Sequence, residues 1–433
     1  MYKVRPVKLL TLFALLISSP LLAIPVGEHA GEIWIDGPEN IQVGNPKHVD
    51  AAVDTTGRSI FVWATNPAVN GGTRIHYRVF PSDGGAPSVP ALVGPPSEFN
   101  QQYPRVAISK DGSFLVVWQS DEVPEGATAK RKVVRSQAFD ANAQAVGSEQ
   151  LLSTLPPRGT TSISADVAAL TGGGYVVAWS SRETSGDDTD WSIQARRVGA
   201  DGAPLAAQFQ VNSNNSAGGE TNSSITELAD GGFLIVWTIV QINGHLQGRR
   251  FTANGTPVGD DVQIATTSLG SASETEATLH EDGRVLIIWK DEEDTDNSWE
   301  IRGRLYSQNL AAQGPDFRIN EIIAGAQQQP RAADYGEAGF FVVWESGTSS
   351  GDDDDPTGIE GRIVTGSNQF SGAQFQVNEW IQDSQQSPGI GGIGGRVAIG
   401  WDSQSRPGSI NSAILGQFWS ICGIFCDSFE GEQ

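Results

Sequence analysis

Short apolar runs ending in tryptophan recur along this chain at a nearly constant interval. They are SIFVW to Trp63, SFLVVW to Trp118, GYVVAW to Trp179, GFLIVW to Trp237, RVLIIW to Trp289, GFFVVW to Trp344 and RVAIGW to Trp401. Successive tryptophans lie 55, 61, 58, 52, 55 and 57 positions apart. The runs are apolar at consecutive positions and rich in β-branched and aromatic residues. That pattern predicts strands buried on both faces rather than amphipathic helices. Each run has the same neighbours. A shorter strand and a tight turn precede it, as in PRVAIS followed by Lys110-Asp111-Gly112. Asp-Gly between two apolar runs is a hairpin signal, because glycine accepts the positive φ that the turn needs. A variable polar loop follows, then a third strand such as IQARRV or IRGRLY, a second Gly turn, and a fourth strand such as FQVN ending at Asn212. No segment shows a capped 3.6-residue periodicity, so essentially no helix is expected.

Seven units of about 55 residues, each a four-stranded antiparallel meander, predict an all-β fold: a seven-bladed β-propeller over residues 32–418. An open solenoid or two stacked sandwiches is the competing arrangement. The longest regular connector falls between the fourth strand and the next first strand, so the blades divide there. On that division the last unit has only three strands, ending near Phe418. Ile41–Val43 (IQV), preceded by EIWI, is left over and is expected to supply the outer strand of the last blade, closing the ring.

The repeat resembles one found in secreted and surface proteins of bacteria, whose pattern is P-x-V-A, a D-G turn, G-F-V-V-x-W, an acidic Gly/Ser-rich loop, I-x-G-Q/R-x-F, a second turn, and F-x-V-N. The resemblance covers about residues 32–418. It implies an exported, non-catalytic propeller module associated with surface or adhesive proteins, and it supplies no catalytic residues. The tail Phe425-Cys426-Asp427-Ser428-Phe429-Glu430 is similar to the Asp-x-Phe-Glu ending of some exported gammaproteobacterial proteins.

Composition narrows the partners. There are 28 Lys+Arg against 51 Asp+Glu, a formal net charge of −23. This disfavours nucleic acid, which needs clustered Lys/Arg to displace counterions. It also disfavours an anionic membrane surface. Residues 1–23 read as a signal peptide: Lys3, Arg5 and Lys8 precede an apolar run, Leu9 to Ile17, too short to span a bilayer. With no later apolar stretch of spanning length, the mature chain is expected to be secreted, periplasmic or at the cell surface, and monomeric. Residues 419–433 form a tail carrying Cys422 and Cys426, which in an oxidising compartment close a small loop or pair with another molecule.

Strand connectivity sorts the loops onto two faces. Turns after first and third strands are short; loops after second and fourth strands vary and share the opposite face, where binding usually resides. Three acidic loops fall there: Asp187, Asp188 and Asp190; Asp291, Asp294 and Asp296 with Glu292 and Glu293; and Asp352, Asp353, Asp354 and Asp355. One reading is a hard-cation site for Ca²⁺, which takes six to eight oxygen ligands. The other is a solvated acidic rim that confers solubility, with no cofactor. Trp191 and Trp299 follow the acidic loops of two blades and Trp380 lies in a connector on the same face; they are candidates for stacking on a sugar ring, or for packing between blades. Arg78, Arg196, Arg249, Arg304 and Arg362 hold one position of the third strand, with Gln137 and Gln417 in the other two blades, and are expected to bond blade to blade.

Catalytic motifs are absent or accidental. Gly347-Thr348-Ser349-Ser350-Gly351 fits the nucleophile-elbow string but not its strand–turn–helix context. His29, His48, His76, His245 and His280 show no metal-ligand spacing, and the S-x-D-x-G-x-T-W box of sialidase-like propellers is missing. The sequence therefore suggests a non-enzymatic propeller that binds a protein, glycan or surface through its variable acidic face. The alternative is a hydrolase or lyase acting on extracellular polysaccharide, with carboxylates as acid and base.

Overall fold

The structure, a computed structural model, describes residues 28–29, 31–37, 45–66, 71–95, 97–123, 130–153, 162–182, 191–213, 219–240, 245–266, 272–292, 299–348, 357–405 and 412–421. These form seven antiparallel sheets, six of them four-stranded meanders in sequence order and the seventh a three-stranded meander completed by N-terminal strands, arranged as a seven-bladed β-propeller. Apart from one short 3₁₀ turn at Gly336–Ala338, no helix occurs among the described residues.

The first strands of blades 1 to 7 are Asn45–Val53, Gln101–Ile108, Ser162–Ala169, Glu220–Glu227, Ser273–Leu279, Gln327–Asp334 and Gln385–Ile393. Each touches the first strands of both neighbouring blades, so the seven close a ring around an axial channel. The tryptophan runs become the second strands, and all seven tryptophans are fully buried. Their two-sided apolar pattern has a simple cause. The core is divided into seven layers, one at each seam, and alternate residues of a second strand enter opposite layers. In blade 4, Phe233, Ile235 and Trp237 pack on blade 3, whereas Leu234 and Val236 pack on blade 5.

The Asp-Gly turns form as the sequence predicts. At Ala229-Asp230-Gly231, glycine takes φ +78° and its N–H closes on the Leu228 carbonyl at 2.9 Å. Glycine has a different purpose in the seventh inner strand. A Cβ on Gly391 would lie 2.6 Å from Ala51 O and 2.6 Å from Ala52 Cα; one on Gly389 would lie 2.7 Å from Asp50 Cα. The last inner strand therefore fits the remaining gap only because it presents bare backbone to blade 1.

Closure comes from the N-terminal side, but from an earlier segment than expected. Ile33–Trp34 pairs with Ala413–Ser420, the third strand of blade 7, with Ile33 opposite Gly416 and Trp34 opposite Leu415. Glu28–His29 continues the edge opposite Ser420 and Trp419. Ile35 N–H donates to Ile414 O at 2.8 Å, repeating the bonds Val211 to Ile193, Ile319 to Ile301 and Val377 to Ile359 in other blades. Trp34-Ile35-Asp36 thus stands where the repeat has x-V-N. Ile41–Val43 lies outside the described residues, and the outer position it was expected to fill is held by Ile33–Trp34.

Candidate functional site

Every inner strand carries a β-bulge at one equivalent position. In blade 1 Lys47 pairs with Ala64 and Asp50 with Val62, so three steps on one strand meet two on the other. The same slip recurs in all seven blades. At each bulge one residue adopts the left-handed conformation: His48, Tyr103, Ser164, Asn222, Glu274, Gln329 and Ser387, with φ between 52° and 55°. None is glycine, and such positions cost on the order of 1–3 kcal/mol unless the surroundings hold them. Here neighbouring blades do. Backbone N–H groups freed from the ladder are accepted by carboxylates: His48 N by Asp402 Oδ2 at 2.9 Å, Gln329 N by Glu274 Oε2 at 2.6 Å, and Ser387 N by Glu345 Oε2 at 3.2 Å.

These seven side chains surround the channel mouth on the variable-loop face, and they line a cavity of about 470 Å³. His48 and Tyr103 form an aromatic corner, their ring centroids 4.2 Å apart. Two residues further along each inner strand stand Asp50, Arg105, Asp166, Ser224, Glu276, Arg331 and Gly389. Five of these (Arg105, Asp166, Ser224, Glu276 and Arg331) line both the upper cavity and a second one of about 270 Å³ towards the Asp-Gly turns. The ring is therefore a charged diaphragm across the channel.

The diaphragm is braced around the circle. Asp50 Oδ2 accepts Val106 N–H at 3.0 Å, Asp166 Oδ2 accepts Ile225 N–H at 2.9 Å, Ser224 Oγ accepts Ala277 N–H at 3.2 Å and Glu276 Oε1 accepts Ala332 N–H at 2.9 Å. Each bond runs from one blade to the next. Arg105 pairs with Asp50 at 3.6 Å and Arg331 with Glu276 at 3.2 Å. Burial raises the Glu276 carboxyl to about 7 against the opposing pull of Arg331, and burial also raises Asp50. His48 is lowered to about 4 by burial, with Lys47 and Arg105 adding repulsion. Asp402, behind His48, is raised to about 8 by burial.

The residues singled out from sequence fall elsewhere. Trp299 opens the third strand of blade 5 at the funnel rim. Lys290 Nζ lies 4.6 Å from its ring centroid and 2.5 Å from Glu274 Oε1, linking this tryptophan to the cavity wall. Trp191 is half-buried, and its carbonyl accepts Glu220 N–H from blade 4 at 3.0 Å. Trp380 packs into the layer between blades 6 and 7 and donates from Nε1 to Ser405 Oγ at 3.2 Å. Asp291 is buried, with Trp289 Nε1 at 3.4 Å and Arg302 Nε at 3.9 Å. Asp187, Asp188, Asp190, Asp294, Asp296, Asp352, Asp353, Asp354 and Asp355 lie outside the described residues, as do Ser349, Cys422 and Cys426. Among the described residues, no group of three or more His, Cys, Asp or Glu is placed to hold a metal ion.

The third-strand arginines bond blade to blade, as expected. Nη1 of Arg196, Arg249, Arg304 and Arg362 donates to Leu152, Val211, Ile264 and Ile319 of the preceding blade at 2.8, 3.1, 3.4 and 2.7 Å. The bulge residues and the diaphragm were not foreseen. Their sequence signal is the polar–x–polar–apolar alternation of the innermost strand, as in Tyr103-Pro104-Arg105-Val106.

No family model and no curated protein matches the chain. Solved structures match it in fold. A fungal alcohol oxidase solved with copper is similar over 94% of this chain and 79% of its own, with a TM-score of 0.55 and 10% identity. A protein of unknown function from Dyadobacter fermentans is similar over 92% and 100%, with a TM-score of 0.50 and 14% identity. An α-L-arabinofuranosidase from Fusarium graminearum is similar over 91% and 98%, with a TM-score of 0.50 and 9% identity. At these identities the likeness is one of fold.

Proposed function

We propose that this protein is an exported, non-enzymatic binding propeller that holds a glycan in the funnel on its variable-loop face. The observation that carries this reading is the convergence of seven polar or aromatic bulge side chains, one per blade, on a single cavity at the channel mouth. Convergent polar groups in a preformed concavity are the usual make-up of a small-ligand site. Bulges commonly re-aim side chains beside such sites. The His48–Tyr103 corner offers a ring face, and Asn222, Gln329 and Ser164 offer the mixed donors and acceptors that sugar hydroxyls require. Trp299 extends the rim beyond the cavity.

The test is calorimetric titration of the full chain with a panel of oligosaccharides. Binding that weakens in Tyr103→Ala and Asn222→Ala supports the site; no binding across the panel overturns it. Incubation with the same panel checks the reaction class, since new reducing ends would overturn the non-enzymatic reading. The hydrolase alternative has one observation in its favour: Glu276, raised to about 7, is where a general acid would be poised. Against it, Asp50, Asp166 and Glu276 each hold an N–H of the next blade, a bracing role that needs no substrate. For calcium in the three acidic loops, a chelator-sensitive melting midpoint would support the ion, and an unchanged midpoint would remove it.

A further inference from the structure

We propose that the funnel selects an acidic sugar residue, its carboxylate held on the blade 2 wall by Lys132 and Gln119 and its hydroxyls turned towards the carboxylates of blade 5. This rests on the reading of the funnel as a glycan site and names the class of glycan.

The charges on the cavity are matched unevenly. On blade 5, Glu274 receives Lys290 and Gln329 N–H, and Glu276 receives Arg331 and Ala332 N–H. Arg105, on the floor, faces Asp50. Lys132 is different. It lines the cavity from the third strand of blade 2, and among the described residues it forms no ion pair or hydrogen bond. Asp121, its cross-strand neighbour, makes no ion pair with it.

Gln119 lines the same wall from the second strand. It is only 2% exposed, yet its Nε2 has no hydrogen-bond partner among the described residues. A buried amide N–H₂ without an acceptor is a costly arrangement that a ligand oxygen would relieve. Ser223 Oγ, also on the cavity, is likewise buried and without a partner.

The vacant hydrogen-bonding capacity is thus donor-rich and sits with an unmatched cation, while the acidic wall is already neutralised. A cationic ligand would meet an unpaired lysine and, on blade 5, paired carboxylates; Asp166, on the floor, forms no ion pair among the described residues but holds Ile225 N–H. A neutral sugar would leave Lys132 with water alone. A carboxylate accepts from both Lys132 and Gln119, and charge-assisted bonds of this kind are the strong ones. Sugar hydroxyls, which donate as well as accept, suit Glu274 and Gln329 opposite, and the Tyr103 ring beside His48 suits a pyranose face.

The experiment is calorimetry of the full chain with glucuronate, galacturonate and mannuronate oligomers, their methyl esters, and neutral oligosaccharides. At least one acid form should bind about tenfold or more tightly than its ester, with affinity falling as salt is raised. Lys132→Gln should abolish that preference, Lys132→Arg should keep most of it, and Gln119→Leu should weaken the acid form; an unchanged circular dichroism spectrum controls for folding. Ester binding equal to acid binding, an unaltered preference in Lys132→Gln, or binding of neutral sugars alone overturns the inference while leaving the glycan site standing. Failure of every saccharide overturns the glycan site and the inference with it.

Discussion

Arg78, in the third strand of blade 1, donates from Nη1 to the carbonyl of Trp34 at 2.9 Å and so ties the first blade to the strand that completes the last. Arg196, Arg249, Arg304 and Arg362 reach a carbonyl of the preceding blade's outer strand at other seams, Val211 and Ile319 among them standing where Ile35 stands here. Only at Arg78 does the acceptor lie on a strand that pairs with the other end of the chain, Ala413–Ser420. Arg78 Nη1 also reaches Ile35 O at 3.2 Å, and its Nε reaches Ser88 O at 2.8 Å. Removing a charged donor from such carbonyls costs about 1.5–3 kcal/mol. Arg78→Met should therefore lower the melting midpoint and speed proteolytic release of residues N-terminal to blade 1. Arg196→Met should lower the midpoint to a similar extent but leave that cleavage rate unchanged. Equal cleavage in the two variants would refute a special role for Arg78 in closure.

Gly391→Ala tests the fit of the seventh inner strand. Its new Cβ would meet blade 1 backbone that has no rotamer to yield. Overpacking of this kind costs about 1–3 kcal/mol or more. Gly231→Ala provides the comparison, since its Cβ meets nothing within 4 Å and only the φ of +78° opposes it, a strain of about 1–2 kcal/mol. Chemical denaturation should rank Gly391→Ala as the more damaging, and the reverse order would contradict the wedged strand.

Trp380→Ala separates packing from ligand stacking. The indole lies in the layer between blades 6 and 7 and is bonded to Ser405. Its loss should destabilise the protein by roughly 2–4 kcal/mol, somewhat under the range for a fully buried aromatic. Trp299→Ala, at the rim, should change stability little and oligosaccharide affinity more. A Trp380→Ala protein of unaltered stability and reduced affinity would return this residue to the binding site.

Stability should fall as pH rises from about 6.5 to 8. Burial raises Glu276 to about 7 and Asp402 to about 8, whereas in an unfolded chain both titrate near about 4. Between those limits the folded protein keeps protons that the unfolded chain has lost, so rising pH favours unfolding. His48 and His76, each lowered by burial from 6.5 to about 4, act oppositely. There the unfolded chain binds protons the folded one refuses, so stability grows between those values. The two effects oppose each other up to about 6.5; above it only the carboxyls still titrate. Asp402→Asn keeps an oxygen for the His48 N–H and removes the titration, so its midpoint should fall less over that range. A fall as steep as in the parent protein would acquit Asp402.

The sequence alone determined the repeat, the strand type and the number of blades. The reason is that each tryptophan run must be apolar towards two seams at once, and the tight glycine turn after each first strand depends on local backbone geometry; neither needs distant contacts to be read. The arginine position was legible because it recurs in the same place in most blades. Closure was less so: Trp34-Ile35-Asp36 resembles the x-V-N and Ile41–Val43 the F-x-V of a fourth strand, and only pairing with Ala413–Ser420 identifies the first as the closing segment. The candidate site was hidden for a physical reason. His48, Tyr103, Asn222, Glu274, Lys132 and Gln119 differ in chemistry and lie far apart in the chain, so no motif joins them. They meet because seven bulged strands are bent around one axis, and whether a buried amide or a lysine finds a partner is settled across blades.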